Sequence, residues 1–121
     1  ATPEEALART PVSDSNAVIA LAEAARADGD GGNFTKAAAA LERALRIEPR
    51  NPRLWHELAQ LKFKEGDYVQ AASMAARSNT WAGTDKMLRA ANWRVIGEAK
   101  RSTGDDAGAR AAFDKADVLT R

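Results

Sequence analysis

The chain has 121 residues, no cysteine, and 18 basic residues set against 17 acidic ones for a formal charge of +1. That length suits one domain with a modest core. The absence of thiols excludes disulfide frameworks, thiol catalysis and cysteine-ligated zinc, and the near-zero charge argues against the broad positive field of nucleic-acid binders. Helix formers dominate while β-branched and aromatic residues are sparse, so the composition predicts an all-α protein. No apolar run approaches the roughly 20 residues that cross a bilayer, and no membrane-spanning segment is expected.

Charge is unevenly placed. Residues 1–30 carry Glu4, Glu5, Asp14, Glu23, Asp28 and Asp30 against Arg9 and Arg26, whereas Lys86, Arg89, Arg94, Lys100 and Arg101 face only Glu98 in residues 86–101. This pattern reads either as solvated faces or as complementary ends that attract each other or a partner.

In chain order, Thr2 followed by Pro3, Glu4 and Glu5 is a helix start, with a hydroxyl cap, a proline pre-set at the first position and carboxylates at the positive end of the dipole. A short helix over residues 3–9 is expected in a lead-in covering 1–15. Its polar sequence resembles the start of a mature exported protein whose signal or lipid anchor has been left off. Trimming of the chain explains the same start, so the expected location is periplasmic or outer-membrane-anchored, with cytoplasmic as the alternative.

Val18, Leu21, Ala22 and Ala25 then lie on one face of a helix over 16–27,. A second runs 34–47 through Ala37, Leu41, Ala44 and Leu45, and Pro49 and Pro52 close it. The third covers 53–65 with Trp55, Leu58, Ala59 and Leu61. A fourth covers 68–78, a longer fifth reaches Arg101 from a cap at Thr84 or Asp85, and a last one covers 107–119.

The stretch Arg26–Ala38 between the first two helices begins like a calcium loop, with Asp28 and Asp30 at the first two ligand positions. Gly32 and Asn33 then stand where a ligand and the turn glycine belong, and Ala39 replaces the bidentate glutamate at position twelve. No metal site is expected there, and the stretch reads as a turn.

That turn repeats. Gly32, Phe34, Ala37 and Ala44 are followed 34 residues later by Gly66, Tyr68, Ala71 and Ser78, and Gly104, Ala109, Phe113 and Ala116 continue the series after an excess of four residues. Four residues is close to one helical turn, so the fifth helix can start a turn early and keep its buried face. Three aligned helix-turn-helix units with this period resemble the tetratricopeptide repeat. The resemblance implies a right-handed α-solenoid with units at about 18–51, 52–85 and 86–121, in which small residues at Ala25, Ala59 and Gly97 let paired helices approach. It also implies a non-enzymatic module that binds a peptide segment or helix of another protein on its concave side, as an adaptor or assembly factor in a bacterial envelope complex.

On the matching positions, the groove would present Arg26, Arg53, His56, Gln60, Phe63, Arg94, Glu98 and Arg101, with Phe63 as apolar anchor and the arginines orienting an acidic or C-terminal group. Trp81, in the irregular stretch before the fifth helix, is a further contact candidate. The lysines and asparagine by which some family members clamp a chaperone carboxylate are replaced by Ala22, Arg26, Glu57, Ala91 and Val95, so that clamp is not implied. His56 is the sole histidine, and without a carboxylate or cysteine at ligand spacing it suggests neither a metal nor a catalyst. No catalytic residue, metal or other cofactor is expected. The alternative function is a self-associating scaffold, pairing through the terminal helices or the N-terminal segment, with a variant in which residues 3–9 fill the groove.

Overall fold

The computed structural model describes residues 2–121, which form seven helices: α1 (Pro3–Ala8), α2 (Asn16–Asp30), α3 (Phe34–Ile47), α4 (Pro52–Lys64), α5 (Tyr68–Trp81), α6 (Lys86–Ser102) and α7 (Asp106–Leu119). Caps set most of the starts. Thr2 Oγ1 accepts from the Glu5 amide, Ser15 Oγ from Val18, Asn51 Oδ1 from Arg53, and Asp85 Oδ1 from Leu88, each satisfying an amide that has no intrahelical partner.

The three turns inside the pairs are the same structure. Gly32, Gly66 and Gly104 have φ of 83°, 82° and 88°, a left-handed conformation that costs a residue with a Cβ roughly 1–2 kcal/mol. In each, the amide of the next residue reaches back five positions: Asn33 to Asp28, Asp67 to Lys62 and Asp105 to Lys100, at 2.8, 2.9 and 2.9 Å. These bonds satisfy carbonyls left open at the helix end, and the same residue begins the following helix.

Helices pair as α2 with α3, α4 with α5 and α6 with α7, and neighbouring pairs stack through α3 on α4 and α5 on α6. The core is thin and built from small residues. Ala37, Ala44, Ala59, Ala71, Ala75 and Ala91 are fully buried, and Val18, Leu54 and Leu88 are the largest apolar side chains enclosed completely. Each of those three contributes about 1.5–3 kcal/mol of burial. Gly97 belongs to the same logic, since a Cβ there would lie 2.7 Å from the Phe113 ring.

Two boundaries differ from expectation by more than one residue. α2 continues three residues beyond Ala27, through Gly29, because that glycine is buried against Leu61 and Ala37. Tertiary packing there outweighs a propensity cost of roughly 1 kcal/mol. α5 continues to Trp81, so Trp81 is helical and not part of an irregular linker.

α6 has 17 residues where α4 has 13, and its extra N-terminal turn has a use. Leu7 of α1 packs into a small cluster with Ala82, Leu88 and Ala91. α1 thus lies across the start of α6, held by apolar contact; among the described residues no ion pair joins Glu4 or Glu5 to the basic α6.

Candidate partner-binding groove

α2, α4 and α6 are the first helices of the three pairs, and they line one side of the stack, where α2 meets α4 and α4 meets α6. A cavity of about 630 Å³ opens there. Its floor is apolar, from Ala25 and Gly29 of α2, Leu61 and Phe63 of α4, Val95 of α6 and Phe113 of α7. Phe63 is half-buried and meets Tyr68 edge-to-face at 5.1 Å, which holds its ring at the cavity wall,.

Ion pairs tie the walls together. Arg26 Nη2 lies 2.6 Å from Glu57 Oε1, joining α2 to α4, and Lys64 Nζ lies 3.1 Å from Asp30 Oδ1 between the same two helices nearer their C-terminal ends. Both pairs are solvent-accessible, so each contributes at most about 1 kcal/mol. Their consequence is positional, since each cation is already turned toward a carboxylate.

Away from the cavity, at the other end of α4, polar groups are buried. His56 and Asn92 are 3% and 0% exposed. Asn92 Nδ2 donates to Ser78 Oγ at 2.8 Å and to Asn79 Oδ1 at 2.9 Å, so its Oδ1 faces His56 and accepts from Nδ1–H at 2.7 Å. Ser78 Oγ donates in turn to the Pro52 carbonyl at 2.7 Å. Burial lowers the His56 pKa; the Asn92 hydrogen bond and the Glu57 charge oppose that shift, and nearby Arg53 adds to it. The imidazole is therefore neutral at pH 7, a buried connector between α4, α5 and α6.

Arg53 is 9% exposed, and its Nη1 donates to the Thr10 carbonyl at 3.0 Å. Burial pushes this guanidinium below its usual value, with Glu57 opposing. Its Nε is one of two buried side-chain nitrogens without a hydrogen-bond partner among the described residues, the other being Asn79 Nδ2.

Three helix pairs with equivalent turns, stacked so that the first helices share one side, form a recurrent architecture. The tetratricopeptide-repeat model matches residues 30–91, just over half of the chain. The chain belongs to the tetratricopeptide-repeat family. Among solved structures it is similar to the globular C-terminal domain of P. aeruginosa LpoP, with 37% sequence identity and a TM-score of 0.84 over 87% of this chain and 99% of that one. No curated protein sequence matches it.

Within this repeat fold, the structure brings together five of the residues singled out from the sequence. Arg26, Gln60, Phe63, Arg94 and Glu98 line the cavity. The others lie elsewhere. His56 and Arg53 sit on α4 as anticipated, but the Asn92 network and the segment carrying Thr10 enclose them, which corrects their assignment as groove contacts. Trp81 is 42% exposed at the end of α5, outside the cavity, with the Arg50 guanidinium 5.3 Å from its ring centre. Arg101 is exposed beside the cavity, hydrogen-bonded to Glu98 and stacked over Phe113 at 5.6 Å.

Glu4, Asp30, Lys64, Phe113 and Asp117 also line the cavity, as do Glu57 and Val95, which stand where other family members carry the carboxylate clamp. Glu57 and Lys64 flank Gln60 at spacings of three and four, a signal that one face of α4 continues the groove. Glu4 belongs to residues 3–9, which the groove-filling variant places there, and where its side chain lies depends on how α1 docks.

Trp55 and Trp93 are half-buried, each packed against a hydrophobic core cluster. Arg77 lies 4.9 Å from the Trp55 ring centre and Lys115 lies 4.2 Å from that of Trp93. The partners are 22 residues apart in both units, so a cation from the second helix covers the aromatic of the first.

Proposed function

We propose that the domain is a non-enzymatic protein-binding module that takes a segment of a partner protein in its concave cavity, within a bacterial envelope assembly. The observation that carries this reading is the cavity itself: about 630 Å³, with an apolar floor and charged walls, on the side of the repeat stack that the first helices share,. The protein-interaction fold and the similarity to a bacterial domain support it. The same similarity supports a periplasmic or outer-membrane-anchored location, which fractionation of the native source checks.

Site-specific photocrosslinking tests the proposal. A crosslinker at Gln60, in the cavity, is expected to capture a partner in the native source that one at Val69, 70% exposed on the outer helix α5, does not. Phe63→Ala is expected to weaken that complex by about 1–2 kcal/mol as loss of an aromatic anchor. Equal capture from both positions, together with unchanged affinity in Phe63→Ala and Arg94→Ala, rejects the groove.

Self-association is the second reading, favoured by one observation: Val118 on the terminal helix α7 is 59% exposed. Light scattering over a concentration range decides it, with a constant monomer mass as the adverse result.

A further inference from the structure

The cavity's charges are largely satisfied, and what remains has a sign. Of its three cations, Arg26 is held by Glu57 and Lys64 by Asp30, which leaves Arg94 with no carboxylate within 4.0 Å among the described residues. Of its five carboxylates, those two pairs occupy Glu57 and Asp30, and Arg101 occupies Glu98. Glu4 and Asp117 have no cationic partner within 4.0 Å among the described residues.

Backbone placement reinforces the bias. Gly29 and Asp30 close α2, and Phe63 and Lys64 close α4, so the cavity faces the C-terminal ends of two helices, where the macrodipole is negative,. Asp117 itself lies in the last turn of α7, with exposed carboxylate and helix end of like sign. A carboxylate there costs a few tenths of a kcal/mol or more, and among the described residues no cation lies within 4.0 Å to offset it.

From this we infer that the groove selects a basic-apolar partner segment, one whose bulky apolar side chain seats on Phe63, Val95 and Phe113 while a flanking lysine or arginine answers Glu4 or Asp117. An acidic segment or a free C-terminal carboxylate is disfavoured, because two of the three cations it would need are already paired within the chain and Arg94 alone stands against the two unpaired carboxylates. The inference rests on the proposed groove and specifies its partner's chemistry, a choice governed more by complementary charge than by buried area.

Selection of a random linear peptide library on the full 121-residue chain tests it. Recovered peptides are expected to carry Lys or Arg beside Leu, Phe or Trp. Their affinity, followed by fluorescence anisotropy, is expected to fall about tenfold in the double variant Glu4→Lys, Asp117→Lys and to weaken as salt is raised. Should the double variant lose its helical circular dichroism, Asp117→Lys alone, at an exposed position, is expected to show a several-fold loss. Enrichment of acidic peptides or free carboxyl termini whose binding requires Arg94 overturns the inference and leaves the groove in place. Peptides that bind Phe63→Ala as well as the parent chain reject the groove itself, and a library that yields no binder counts against both.

Discussion

The Nδ1 of His56 lies 2.7 Å from the Oδ1 of Asn92, between helices that are separate in sequence and joined in the core. Asn92 spends both its amide protons on Ser78 and Asn79. Replacing it with alanine leaves several buried groups without partners at once. Asn92→Ala is expected to lower the unfolding free energy by about 1–3 kcal/mol, measured by urea denaturation. A midpoint equal to that of the parent chain shows that water replaces the amide at no cost.

The same histidine gives the protein a pH dependence. Its folded-state pKa is lowered from an ordinary value of 6.5, chiefly by burial. Below 6.5 the unfolded chain takes up a proton that the folded chain refuses, so stability falls as pH drops below 6.5 toward the folded value. Above 6.5 both states are neutral at this group and its penalty is absent. Glu57 and Glu4 oppose the shift and Arg53 adds to it, so the slope belongs to that cluster. His56→Gln is expected to unfold with a shallower dependence between about pH 5 and 7; parallel curves for the two proteins assign the slope to other groups.

Leu7 holds α1 in place through Ala82, Leu88 and Ala91. A six-residue helix has almost no stability of its own,, so its order comes from this seat and from the Arg53 bond to Thr10. Leu7→Ala is expected to cost about 1–2 kcal/mol locally and to release α1 without unfolding the repeats. Amide exchange at residues 3–10 reports it, together with new tryptic cleavage after Arg9. Undiminished protection there means that α1 is held by something other than Leu7.

Gly97 touches the Phe113 ring so closely that a Cβ at that position would sit 2.7 Å from it. Gly97→Leu is expected to cost about 1–3 kcal/mol by overpacking, in excess of any gain in helix propensity. Thermal melting checks this. An unchanged midpoint means the α6–α7 contact can open, which conflicts with Ile96 and Ala112 being buried in one core cluster beside it.

The repeat was legible because it is carried by short-range features. Gly32 and Gly66 recur with the period and Gly104 follows four residues beyond it; each takes a positive φ, and each is followed by a residue that starts the next helix. Such choices depend on a few neighbouring residues, and the three turns could be compared with one another. The end of α2 was not legible for the opposite reason: whether Gly29 stops a helix or packs within one depends on Leu61, which lies 32 residues away.

Of the candidate site, the cavity-lining faces were legible and the burial of neighbouring residues was not. Gln60, Phe63, Arg94 and Glu98 line the cavity because helical periodicity assigns their faces and the stack places those faces together,. His56 and Arg53 lie on first-helix faces by the same periodicity, yet neighbours brought in from other elements bury them. The charges behaved likewise. Arg26 reads as a groove cation in the sequence, and only the approach of α4 shows that Glu57 already neutralises it.

By itself, then, the sequence determined the all-α composition, the positions of the turns and the helical faces that build a three-unit stack, because propensity, capping and period are local properties. The tertiary structure decided where α1 lies, which polar groups disappear into the core and which charges remain for a partner. Those outcomes follow from contacts between residues distant in sequence, such as Leu7 with Leu88, His56 with Asn92 and Lys64 with Asp30. No local pattern encodes them, since each is selected by the packing of whole helices.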